Sequence, residues 1–233
     1  MRDAHGAIIR GDTTVKSLAL VFTGDEYADG GEVIASTLRE HRVKASFFLT
    51  GRFYRNPAFK PLLQELVKEQ HYLGAHSDEH LLYCDWTKRD SLLVTQEQFR
   101  QDLLKNYERM AAFGVRKSDA PYFLPPYEWY NQSVTEWTAQ EGLQLINFSP
   151  GTRSTADYTW PEMGSRYVSS ERVYHSILEQ EANDPNRLNG FILLVHIGTD
   201  PRRTDKFYHH LDALLTELKG KGYSFVTIDA LLQ

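Results

Sequence analysis

The sequence predicts an α/β fold, with a mostly parallel sheet of seven or eight strands that is either closed as a barrel or open and doubly wound. Three observations predict it. Short apolar runs alternate with amphipathic helical stretches along the chain. The runs are brief and almost wholly apolar, as buried strands are. The length, 233 residues, suits a single domain over 1–233, because α/β barrels of roughly 200–250 residues commonly fold as one unit.

Leu18–Phe22 reads as the first buried strand, and Val33, Ile34, Thr37 and Leu38 then share one helical face. Ala45–Leu49 is the second strand. Leu62, Leu63, Leu66 and Val67 mark a helix beginning near Pro57 or Pro61. Tyr72–Ala75 is a short third strand. Phe99, Leu103, Leu104, Tyr107 and Met110 predict a long helix stopped near Gly114. Tyr122–Leu124 reads as a strand ended by Pro125-Pro126. A helix over Val134–Ala139 and a strand over Leu143–Phe148 follow. Gly151–Ser169 shows no period and is expected to be a long loop. Val173–Glu181 reads as helical and Phe191–Val195 as the most apolar strand. A leucine-rich face from Phe207 to Leu218 and a strand over Tyr223–Val226 close the chain.

Composition narrows the function. Lys plus Arg number 26 against 31 Asp plus Glu, a net charge of −5, which gives no basic face for nucleic acid. No apolar run approaches the ~20 residues of a membrane helix. The single cysteine, Cys84, excludes an internal disulfide and reads as packing. Residues Met1–Gly6 carry no signal-peptide pattern.

Barrel and doubly wound folds both place chemistry at the carboxyl ends of strands. After Phe22, Asp25, Glu26 and Asp29 fall on one loop; they read either as a capped polar turn or as a metal ligand and a general base. After Ala75, His76 and His80 stand at i and i+4. On a helical turn both imidazoles would meet one ion; the plainer alternative is capping or surface histidines. His196 ends the most apolar strand, either as a hydrogen-bonded core residue or as an acid/base facing a site. Pro126, Tyr127, Glu128, Trp129 and Tyr130 combine a rigid turn, aromatic faces and one acid, suited to holding sugar rings or to packing. His209 and His210 read as solvated. There is no phosphate-binding glycine loop and no Gly-x-Ser-x-Gly elbow.

In this order the segments resemble the polysaccharide deacetylases, the NodB-homology carbohydrate esterases, from about Leu18 to Leu232. His76-Ser77-Asp78-Glu79-His80 meets the family's His-Ser/Thr-x-x-His motif, and Leu194-Val195-His196 its Leu-x-His motif. Ala45-Ser46-Phe47-Phe48 and Gly222–Ile228 are similar to its second and last strands. Two motifs depart. The family's Thr-Phe-Asp-Asp-Gly falls on Val21-Phe22-Thr23-Gly24-Asp25, which puts Thr23 at the base and Gly24 at the metal ligand. Its Arg-Pro-Pro-Tyr falls on Leu124-Pro125-Pro126-Tyr127, without the Arg that positions the base.

The resemblance implies a distorted (β/α) barrel of seven or eight strands. It also implies a hydrolase that removes N- or O-acetyl groups from a poly- or oligosaccharide with a divalent metal, Zn²⁺ first. Asp25, shifted by one position, would complete the metal triad with His76 and His80. Glu26 leads as base, with Asp29 behind it and Glu128 as a replacement carboxylate. His196 is the general acid, and Asp157 stands as the candidate that orients it. Pro126, Tyr127, Trp129 and Tyr130 would contact the sugar, with the Tyr127 N–H aiding the oxyanion. Family habit favours the periplasm, cell envelope or exterior. The rival is a carbohydrate-binding module that keeps the fold without the chemistry.

Overall fold

The computed structural model describes residues 1–233. Seven strands form one parallel sheet: β1 (Ser17–Gly24), β2 (Ser46–Leu49), β3 (Tyr72–Ala75), β4 (Tyr122–Phe123), β5 (Gln144–Leu145), β6 (Phe191–His196) and β7 (Ser224–Val226). Their order is β5-β4-β3-β2-β1-β6. β1 is the axis. It pairs with β6 along Leu18–Thr23 on one side. On the other side it is shared, with Ser17–Ala19 against β7 and Val21–Gly24 against β2.

Buried parallel strands need apolar residues on both faces, and β1 from Leu18 onward and β6 up to Val195 are buried throughout. Helices α1 (Gly31–Glu40), α2 (Gly51–Arg55), α3 (Lys60–Lys68), α4 (Gln96–Ala111), α5 (Gln132–Gln140), α6 (Ser170–Asn183), α7 (Leu211–Gly220) and α8 (Ile228–Leu231) fill the connections. Local chemistry sets their starts. Thr95 and Gln98 form a reciprocal capping box on α4, and the Asn131 and Ser169 side chains cap α5 and α6. Pro61 sits in the first turn of α3, where its missing N–H costs nothing.

The amino-terminal segment closes the barrel. Ile8 bridges to Ile146 just beyond β5, and Arg10 bridges to Phe191 at the start of β6. Ser149 completes the seam, donating its N–H to Ile192 O at 3.0 Å and its hydroxyl to Ile9 O.

Several expected boundaries move. The strand expected over Leu143–Phe148 is only Gln144–Leu145, because Ile146 pairs with Ile8 and Phe148 turns towards the cleft. The strand expected to reach Leu124 stops at Phe123. The final helical face is split: Phe207–His210 is a 3₁₀ turn, and α7 starts at Leu211. Gly151–Ser169 holds neither α-helix nor strand, only 3₁₀ turns at Ser154–Tyr158 and Pro161–Arg166.

Candidate active site

The carboxyl ends of β1, β3, β4 and β6 open into one cleft of about 940 Å³, lined among others by Asp25, His76, His80, Glu128 and His196. A side chain at Gly24 would strike Ile197, Leu49 and Phe53. No carboxylate fits there, and Asp25 is the next position along the loop.

Asp25 is held firmly. Thr50 Oγ1 donates to Oδ1 at 2.8 Å. Arg52 grips both oxygens, Nε to Oδ1 at 2.9 Å and Nη2 to Oδ2 at 2.5 Å. Oδ2 lies 3.9 Å from His80 Nδ1. The sequence offers no signal for this clamp, since Arg52 stands in a helix after a different strand.

His76 and His80 come together, but not on the helical turn that their spacing suggested. Residues 76–80 are an irregular loop with Ser77 (φ 74°) and His80 (φ 54°) in the left-handed region. Buried polar groups impose this path. Asn106 accepts from the His76 N–H at 2.8 Å and Asp102 from the Glu79 N–H at 3.0 Å. The Gly51 and Arg52 N–H groups of α2 donate to Ser77 O and Asp78 O. The two imidazoles end 5.2 Å apart, centroid to centroid.

His76 Nδ1–H donates to the Leu124 carbonyl at 2.7 Å, so its Nε2 carries the free lone pair. Burial holds both rings neutral. It depresses His76 to about 4 and, with His76, Arg52 and His196 nearby, His80 to about 2. No three His, Cys, Asp or Glu side chains surround a common point. The donor chemistry nevertheless fits a divalent ion: two neutral imidazoles, one with its ring fixed by a carbonyl, beside an ionisable carboxylate.

His196 is clamped by buried Asp157. Its backbone N–H donates to Oδ2 at 2.8 Å, and its Nδ1–H to Oδ1 at 2.5 Å. Burial works against the imidazolium, but Asp157 and then Glu128 outweigh it and raise its pKa. Asp157 rides on the first 3₁₀ turn of the long loop, where the sequence gives it no distinguishing context.

The three carboxylates considered for the base differ sharply. Asp29 is tied to the Thr199 N–H at 2.8 Å, Lys206 Nζ at 2.8 Å and Tyr208 OH at 3.2 Å, and does not line the cleft; it leaves the field. Glu26 sits on the rim with its side chain 60% exposed, 3.6 Å from Arg52. Glu128 is half-buried in the cleft wall, and burial, opposed by His196 and aided by Asp157, pushes its carboxyl up to about 7.

The aromatic group also divides. Tyr127 is exposed, and its ring packs tilted against His80 with centroids 4.4 Å apart. Trp129 is half-buried, with Arg89 over its ring at 4.0 Å. Tyr130 corrects the expectation: it is fully buried and donates to Asp3 Oδ2 at 2.5 Å, so its face is not open to a sugar. Pro126 is buried too and acts through the turn it makes. The structure adds exposed Trp86, 5.5 Å from Tyr127 and 5.4 Å from Trp129, with Tyr158 and Trp160 also lining the cleft.

The family model for polysaccharide deacetylases matches residues 10–146. The peptidoglycan-N-acetylglucosamine deacetylase PgdA of Listeria monocytogenes is 31% identical over 94% of this chain, which spans only 39% of that protein. The peptidoglycan-N-acetylmuramic acid deacetylase PdaA of Bacillus subtilis is 25% identical over 99% of the chain and 76% of its own length. Among solved structures, the Bc1960 peptidoglycan N-acetylglucosamine deacetylase superposes with a TM-score of 0.76 at 21% identity, covering 97% of this chain and 92% of that one. BA3943 of Bacillus anthracis, described as a CE4 family pseudoenzyme, gives 0.71 at 19% identity, over 99% and 70%. These structural matches speak for the fold.

Proposed function

The chain belongs to the polysaccharide deacetylase family, and from that membership we propose that it hydrolyses acetyl groups from an acetylated poly- or oligosaccharide with a divalent metal. One observation carries the reading. The half-buried His196, its pKa raised by buried Asp157, opens into the same cleft as two imidazoles whose pKa values burial depresses.

Asp25, His76 and His80 would hold the ion, with Zn²⁺ favoured by the nitrogen ligands; bound there, it supplies polarisation of the acetyl carbonyl and acidification of water. The protein's own groups do the rest. His196, its pKa raised by Asp157, gives its proton to the departing amine or alkoxide. The Tyr127 N–H, which donates to no other backbone group, stabilises the developing oxyanion. Trp86, Tyr127 and Trp129 offer aromatic faces to the sugar.

Calorimetric titration of metal-stripped protein with Zn²⁺, beside His80→Ala, tests this reading. The expected result is one site in the parent protein that disappears in the variant. No binding to the parent would contradict metal-dependent hydrolysis and turn attention to a sugar-binding module, which the uncharged Thr23, Gly24 and Leu124 would suit.

A further inference from the structure

We propose that Glu128 is the proton acceptor for the attacking water, a role that rests on the deacetylase reading above. Resemblance puts the base at Thr23 and its arginine at Leu124, and neither residue carries charge. Thr23 Oγ1 is buried and has no hydrogen-bond partner, and a neutral hydroxyl cannot take a proton from water. The proton must go elsewhere.

Five carboxylates line the cleft, and four are engaged or exposed. Asp25 is clamped by Thr50 and Arg52. Asp3 accepts from the His5 and Ala7 N–H groups and from Tyr130. Asp200 is gripped by Arg202. Glu26 stands on the open rim beside Arg52. Glu128 alone is held inside the cleft with no hydrogen bond to its carboxyl; what acts on it is burial and the charges of His196 and Asp157. A carboxyl titrating near neutrality is matched to accepting and returning a proton.

The backbone is bent to put it there. Tyr127 (φ 60°) and Glu128 (φ 53°) are consecutive non-glycine residues in the left-handed region. Asn147 Nδ2 donates to the Glu128 carbonyl at 3.0 Å, and the Glu128 N–H donates to Pro125 O at 3.1 Å, which holds the turn. Such strain persists where the surroundings fix it, and it gathers at functional sites.

The step balances. Glu128 takes one proton as the water oxygen bonds to the acetyl carbon and the carbonyl electron pair moves onto its oxygen. On collapse, the bond from the acetyl carbon to nitrogen or oxygen breaks. Its electron pair takes the proton of His196, leaving a free amine or hydroxyl and acetic acid, which releases its own proton to solvent as acetate. The proton on Glu128 then passes to neutral His196 or to solvent.

The test compares the parent protein, Glu128→Gln and Glu26→Gln. Acetate release is measured from the N-acetylglucosamine pentamer and from acetylated xylan. Pentamer binding by tryptophan fluorescence and Zn²⁺ binding by calorimetry serve as controls. Glu128→Gln should lose about a hundredfold or more in kcat, with both bindings kept, the size of a missing general base. Glu26→Gln should keep its rate. Retained turnover in Glu128→Gln, loss in Glu26→Gln, or loss of pentamer binding together with turnover in Glu128→Gln would each overturn the role and leave the deacetylase reading standing. A parent protein that binds metal and pentamer but releases no acetate from either substrate would overturn both.

Discussion

Asp157 and Glu128 set opposite demands on pH. In the proposed reaction His196 must be protonated to act, and Asp157 raises its pKa against the pull of burial; activity is therefore expected to fall as pH rises through that raised value. Glu128 must be ionised, and with its carboxyl at about 7 activity is lost as pH falls through that point. A bell with its acid limb near 7 is the expected profile of acetate release. In Asp157→Asn the alkaline limb should move to lower pH. An alkaline limb that does not move would remove Asp157 from its positioning role. The left-handed conformations at Tyr127 and Glu128, at ~1–2 kcal/mol each, are paid for by burial and hydrogen bonding around them. At this scale the sequence was uneven. His76, His80 and His196 announce themselves by residue type and by place after a strand. The choice between Glu26 and Glu128 turns on burial, and the Arg52 clamp on a contact between separate segments; neither leaves a local pattern.

The long loop between β5 and β6 shows what an element without periodicity can do. Its outer part, carrying Trp160 and Met163 along the cleft, is pinched at the neck. Val168 N–H donates to Thr159 Oγ1 at 3.1 Å. Fully buried Arg203 donates to the carbonyls of both Thr159 and Val168 and to Ser170 Oγ. Replacing Arg203 with Met would strand buried carbonyls without donors, at ~1–3 kcal/mol each. We expect a clear fall in Tm together with a loss of turnover, because Asp157 sits just before the neck. An unchanged Tm would show that the neck closes without the guanidinium. This loop was legible only as a loop. The helices were legible because amphipathic faces recur along the chain, and their starts shifted by a few residues where capping side chains, such as Ser169 before α6, lie outside the apolar pattern. The loop at 76–80 was misread as a helical turn because i,i+4 spacing is shared by any path that buried partners such as Asn106 and Asp102 can impose.

The whole molecule is a parallel barrel whose strand ends gather the cleft, and that arrangement followed from seven apolar runs in alternation with helices. Its closure did not. Ile8 and Arg10 seal the seam through single bridges, and single residues carry no strand signature. The seam matters to the site, because Asn147, which holds the Glu128 turn, donates its N–H to Ile8 O at 2.9 Å. Membership of the polysaccharide deacetylase family and the residues of the cleft underlie the central proposal, metal-dependent deacetylation of a carbohydrate. The most direct measurement is acetate release from the N-acetylglucosamine pentamer and from acetylated xylan, comparing Zn²⁺-loaded protein, metal-stripped protein and His80→Ala. The account predicts acetate from the loaded protein alone, from at least one of the two substrates. Undiminished release by the stripped protein and by His80→Ala, or none from protein shown to hold its metal, would contradict it.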